Sequence, residues 1–239
     1  MESKVAELPV SDKLWAWFET NKKPVMGFTV LAVLVGVIVY FVLLQQEEKA
    51  TAASDSLSSV LVSQLTGTGT RPETAESAEA LLKVAGAYPK STAATRALLL
   101  AGADFFAAGK YAEAQAQYEK LTREFPDSPL RPQALLGIAA SLDAQGKTDQ
   151  ALAAYKDLTT RQPSASVIPQ AKFGEACLYE SQQKLELARD LFTEVEREDS
   201  FGPLGMQARV RLEDLLAKNP KLVPAPPTPV NPALQPKNK

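Results

Sequence analysis

The chain has 239 residues, 45% of them hydrophobic, with 26 Lys and Arg against 28 Asp and Glu, one cysteine and no histidine. That length allows one or two domains with a real core, while the missing histidine excludes a Ser-His-Asp triad, His-ligated metals and a histidine pH switch. Cys177 alone can form neither an intrachain disulfide nor a cysteine metal cluster, and residues 45–219 carry −5, from 19 basic and 24 acidic side chains, which argues against binding nucleic acid by backbone neutralisation.

Residues 1–23 read as a short arm. Ser11 or Asp12 can cap a short helix carrying Leu14, Trp15 and Phe18, suited to the inner membrane surface or a membrane partner. From Pro24 to Leu44 there are 21 residues without a charge. At about 1.5 Å per residue that helix is as long as the hydrocarbon thickness of a bilayer. Trp15, Trp17, Phe18, Tyr40 and Phe41 stand near its ends, where an aromatic belt sits.

Lys4, Lys13, Lys22 and Lys23 precede the span and Lys49 alone follows within twenty residues. The positive-inside rule then predicts a cytoplasmic N-terminus and an external, in a bacterium periplasmic, remainder. A cleaved signal peptide fits less well. Its apolar core is shorter, and Gln45-Gln46-Glu47-Glu48-Lys49 separates this one from the small residues Ala50-Thr51-Ala52. Gly27 and Gly36 are not spaced as a GxxxG dimer face.

Residues 45–219 repeat. Ala97-Leu98-Leu99-Leu100-Ala101 returns 37 residues later as Ala134-Leu135-Leu136-Gly137-Ile138, then as Ala171-Lys172-Phe173-Gly174-Glu175. The second halves keep step through Gly109, Tyr111, Ala114 and Tyr118, then Gly146, Thr148, Ala151 and Tyr155, then Gln183, Leu185, Ala188 and Phe192. A fixed period of this size means stacked supersecondary units, since one unit cannot bury its apolar face alone. Each unit (95–128, 132–165, 169–202) predicts two antiparallel helices, A and B, at Ala94 to Ala107 and Tyr111 to Glu124 in the first, giving an all-α chain.

Glycine suits the left-handed end of helix A at Gly109 and Gly146, and Gln183 predicts a less ideal third turn. Pro126, Pro129 and Pro163 end helices B. Tyr88-Pro89-Lys90-Ser91 places an earlier helix B at 73–87, with a partner at about 48–65 continuing from the span and broken at Thr66-Gly67-Thr68-Gly69. Gly205 to Lys218 predicts a capping helix with Met206, Val210, Leu212, Leu215 and Leu216 on its apolar side. Residues 220–239 contain seven prolines and three lysines, which predicts an extended, solvated tail.

Gly109, Tyr111, Ala114, Tyr118 and Pro126, with Gly102 eight residues into the unit, resemble the tetratricopeptide repeat. Its usual unit is 34 residues, so each joint here holds three extra. The resemblance implies that the inner faces of helices A line a concave protein-binding groove. Carried onto this sequence, that groove takes Arg96, Leu99, Ala103 and Phe106 from the first unit. Gln133, Leu136 and Asp143 come from the second, and Gln170, Phe173, Cys177 and Glu180 from the third. Leu99, Phe106, Leu136 and Phe173 are placed to grip apolar side chains, or else pack between helices. The Lys and Asn clamp for C-terminal carboxylates is missing, which disfavours chaperone-tail binding.

No G-x-S-x-G, phosphate loop or metal spacing is present. An enzyme is therefore not expected, nor a cofactor or metal. Glu194, Glu196, Glu198 and Asp199 read as a solvated helix end, and Cys177 as a small buried hydrophobe. The layout as a whole, with Leu14-Trp15-Ala16-Trp17-Phe18-Glu19-Thr20-Asn21-Lys22-Lys23 before one span and then repeats, resembles the ancillary SecYEG translocon subunit family. That implies an inner-membrane scaffold passing exported chains from channel subunits to periplasmic chaperones. Scaffolds of outer-membrane assembly and of the Tol-Pal division machinery have similar repeats. They usually carry a lipobox cysteine or a cleaved signal.

Overall fold

A computed structural model describes residues 10–65, 74–162 and 166–223. Thr66-Gly67-Thr68-Gly69, Pro163 and the tail beyond Val223 lie outside the described residues. Nine α-helices and one 3-10 turn, and no strand, occur among those described. The chain divides into two units, 1–52 and 53–239.

Helix α1 spans Val10–Ser63 and is two helices joined at a kink, where Asn21 leaves the helical region (φ −108°, ψ 15°). The Asn21 amide donates to the Trp17 carbonyl at 2.9 Å, and Pro24 has no amide hydrogen to continue the ladder. Met26, Phe28, Leu31, Ile38 and Tyr40 are all exposed. This is one helix long and apolar enough to cross a membrane.

The second unit begins with the last turns of α1, which bury Ala53 and Leu57. Helices α2 (Ala75–Ala87), α3 (Thr92–Ala107), α4 (Tyr111–Glu124), α5 (Arg131–Ala144), α6 (Thr148–Arg161), α7 (Ile168–Ser181), α8 (Leu185–Glu198) and α9 (Pro203–Lys218) follow, each from α3 onward packed on the one before. The expected helix 111–124 is α4 itself, and those expected at 73–87, 94–107 and 205–218 share their last residues with α2, α3 and α9 and begin two residues away.

Local chemistry sets those ends. Thr74 and Ser91 side chains accept from the amides of Ser77 and Ala94 at the starts of α2 and α3. Helices α4, α6 and α8 lack a side-chain cap. Each instead has an acid in its first turn (Glu113, Asp149, Glu186) and an arginine in its last (Arg123, Arg161, Arg197), matching the helix dipole. Gly109 and Gly146 turn from A to B with φ of +74° and +72°. Gln183 makes the same turn at φ 60°, which a side chain resists. Gln183→Gly is expected to raise the unfolding free energy by roughly 1 kcal/mol, read as a shift of the urea midpoint.

Small residues set the spacing of the helices. Ala97, Ala114, Ala134, Ala151, Ala171, Ala188 and Ala208 are all fully buried. The aromatic at the middle of each helix B then wedges between successive helices A. A Cβ added at Gly102 or Gly137 would lie 2.5 Å from opposite edges of the Tyr118 ring, and one at Gly174 would lie 2.6 Å from Tyr155. Phe192, with no exposure, meets Phe173 edge-on at 5.6 Å.

Polar contacts tie α7 and α9 to α8. The Lys172 ammonium pairs with Glu198 at 2.6 Å and Glu194 at 3.0 Å. Arg209 pairs with Glu196 at 2.8 Å. Asp199 accepts the Gly205 amide at 2.9 Å and so caps α9 from outside the helix.

Two expectations are corrected here. Pro220–Leu222 form a 3-10 turn, with Leu222 buried and its carbonyl taking a bond from Arg189 at 3.1 Å; proline suits the first position of such a turn. Met206 and Val210 do not join the apolar side of α9. They are 53% and 64% exposed, while Leu215 is buried and Leu212 and Leu216 half-buried.

Candidate protein-binding groove

Three of the expected groove residues line open hollows. Arg96 and Leu99 face a hollow of 310 Å³ between the end of α1 and α3, with Ser58, Leu61 and Leu130. Phe173 faces another, of 470 Å³, between α7 and α9, with Pro203, Met206, Gln207, Val210 and Arg211. The 37-residue register explains this second wall, because Gln207 stands where Gln170 does and Val210 where Phe173 does. Helix α9 is thus a fourth helix A, and Ala208 follows Ala171 in the same step. The period alone could have found Gln207 and Val210.

The other residues divide by what they touch. Phe106 is half-buried and meets Tyr111 edge-on at 5.1 Å, so its ring is spent on the A–B turn. Leu136 packs against the core of the second repeat. The Gln133 amide turns back on the carbonyls of Pro129 and Leu130 at 3.2 and 3.3 Å. Gln170 is exposed and Ala103 half-buried. Glu180 pairs with Arg211 at 3.8 Å.

Asp143 is half-buried, and burial raises its pKa. It lies close enough to Cys177 to act on the thiol, which burial mainly pushes up to about 11, with Glu180 and Asp143 adding to the rise. At neutral pH Cys177 is therefore a protonated thiol. Its alkylation by iodoacetamide at pH 8 is expected to run roughly 10²-fold slower than that of a free cysteine peptide. The rate should climb about tenfold per pH unit until the thiol titrates, and urea should abolish the difference.

Among the described residues no group of three or more acidic or cysteine side chains could hold a metal. Lys172, with Arg209, ties down the acids at the end of α8. Glu175 is buried beside Tyr179, whose ring the Lys156 ammonium overlies at 5.1 Å. Burial raises the pKa of Glu175 despite the attraction of Lys156.

A family profile described as a tetratricopeptide repeat-like domain matches residues 15–168, almost two thirds of the chain. The chain belongs to this family. A second profile, tetratricopeptide repeat, matches residues 139–203. The TPR-like repeats of a Podosopora anserina protein described as a kinesin light chain, in a variant form, superpose with a TM-score of 0.50 at 14% identity. That match covers 74% of this chain and 87% of the other. A further crystal structure of such repeats from that organism gives 0.49 at 13%, covering 74% and 88%. At that identity the first likeness bears on the fold alone. No curated protein matches this chain. Tetratricopeptide repeats indicate a protein–protein interaction scaffold, and nothing in these comparisons points to an enzyme family.

Proposed function

We propose that this tetratricopeptide repeat protein is held in the bacterial inner membrane by its N-terminal helix and works in the periplasm as a scaffold beside the protein-export channel. It receives emerging chains on the groove face of helices A and passes them to periplasmic chaperones. One observation carries the anchored reading. The repeat-like family match starts at residue 15, ahead of the apolar stretch, and runs on into the repeats, which supports reading arm, apolar helix and solenoid together. The exposure of that stretch and the lysines before it agree with a span oriented N-terminus inward.

The groove reading rests on Arg96, Leu99, Phe173, Gln207 and Val210, which surround hollows. Gln207 is exposed, whereas Phe106 is stacked on Tyr111, so Gln207 is the better site for a photoreactive residue. Crosslinking from position 207 in native membranes, followed by mass spectrometry, is expected to yield channel subunits or unfolded secretory chains. Adducts with outer-membrane assembly or division proteins alone would sink the export role.

A further inference from the structure

The stretch from α5 to α9 is dense in acids, and nearly all the half-buried ones are matched. Glu180 has Arg211, Glu194 has Lys172, Glu196 has Arg209, and Asp199 caps Gly205. Buried Glu175 feels the attraction of Lys156 and Lys172. Asp143 is different. Among the described residues its carboxylate has no ion pair and no hydrogen bond, though it is half-buried at the C-terminal end of α5. A charge withdrawn from water without a partner is a standing cost, and a cation arriving from outside would remove it.

One repeat along lies the hollow between α7 and α9. Its walls are mostly apolar, Phe173, Pro203, Met206 and Val210, completed by Gln207 and by Arg211, which is paired with Glu180. Met206 and Val210 are more than half exposed on a helix whose leucines are all buried or half-buried. Exposed apolar side chains gathered round a hollow are the mark of a contact surface.

Leu136 and Asp143 are two turns apart on α5 and stand where Phe173 and Glu180 stand on α7, so the carboxylate and the hollow share one face. Neighbouring helices pack about 8–10 Å apart, and Asp143 lies roughly 10 Å along the axis from Leu136, the counterpart of Phe173. An extended chain, at about 3.3 Å per residue, joins the two points with roughly four to six residues.

We infer that the groove takes an extended peptide segment in which a large apolar side chain fills the α7–α9 hollow and a basic side chain, about four to six residues away, pairs with Asp143. The inference rests on the groove reading above and adds a partner chemistry to it. Charge complementarity selects the occupant: the apolar wall supplies adhesion and the unmatched carboxylate chooses the sign.

The test uses the full chain in detergent micelles and two fluorescein-labelled Gly/Ser peptides. Each carries one leucine and, five residues away, either lysine or glutamate. By fluorescence anisotropy the lysine peptide should bind at least about tenfold more tightly than the glutamate peptide. Asp143→Asn should bring the two within about twofold of each other. Val210→Glu should weaken both peptides, and circular dichroism melting checks that each variant folds. Equal affinity of the wild type for both peptides, with Val210→Glu still weakening them, would overturn the Asp143 assignment and leave the groove standing. Binding of neither peptide would remove both. If either bound only after residues 224–239 were deleted, the chain's own tail would be the occupant and the proposal would fail.

Discussion

Tyr118→Ala is expected to cost roughly 3–5 kcal/mol, the range for a large buried aromatic. Its ring is 7% exposed and stands between α3 and α5. No Cβ is present at Gly102 or Gly137 to limit its approach, and one at either position would lie 2.5 Å from the ring. The converse change is also damaging. Gly137→Ala drives a methyl into a ring already held from the other side, and overpacking of that kind costs about 1–3 kcal/mol. The two changes are coupled, because the smaller side chain makes room for the added methyl. The double variant Gly137→Ala, Tyr118→Ala should therefore lose less than the sum of the single losses, by about 1 kcal/mol or more. Urea unfolding of the three variants reads this directly. Strict additivity would mean that the ring does not wedge the repeats apart.

Gly205→Ala is expected to destabilise by roughly 3 kcal/mol or more. The Cβ would fall onto the backbone carbonyl of Asp199, which no rotamer change can move aside. The same close approach lets the Asp199 carboxylate reach the Gly205 amide at the start of α9. The variant therefore loses the cap as well as the fit. Helix α9 would detach from α8, exposing Leu215 and Phe192. The measurement is hydrogen exchange across α8 and α9. Faster exchange confined to these helices and the following turn is the expected pattern, since repeats contact only their neighbours. Unchanged protection at α9 would mean that the helix start shifts at no cost.

How far the amino-acid order decides this molecule can be judged from particular positions. The 37-residue period, the glycines at 109 and 146 and the prolines of the joints mark helix ends through backbone rules that need no neighbour. Those rules located α2, α3, α4 and α9 to within two residues. Gln183 shows their limit: the turn forms with φ 60° because the helices on either side hold it there. The two helices of the third repeat pack as the others do, and the side chain bears the strain.

The candidate groove was half legible. Periodicity places Arg96, Leu99, Ala103 and Phe106 on one stripe of a helix, but a stripe does not say what lies across from it. Leu99 lines a hollow. Phe106, two turns on, closes against Tyr111 instead. Met206 and Val210 read as core residues by hydrophobicity alone. In the second unit no further helix covers that side of α9 among the described residues, so they stay exposed.

Asp143 makes the same point for charge. Its acidity is plain from the residue type, while its lack of a partner depends on which acids the cations of α7 and α9 pair with. Arg211 chose Glu180, Arg209 chose Glu196 and Lys172 took two glutamates of α8. By itself the sequence determined the repeat, its period, the helix pairs and the apolar N-terminal stretch, because these follow from local backbone and hydropathy rules. Only the tertiary structure decided which side chains of a shared stripe pack, which pair and which remain open to a partner, because that depends on what the neighbouring repeat brings within reach.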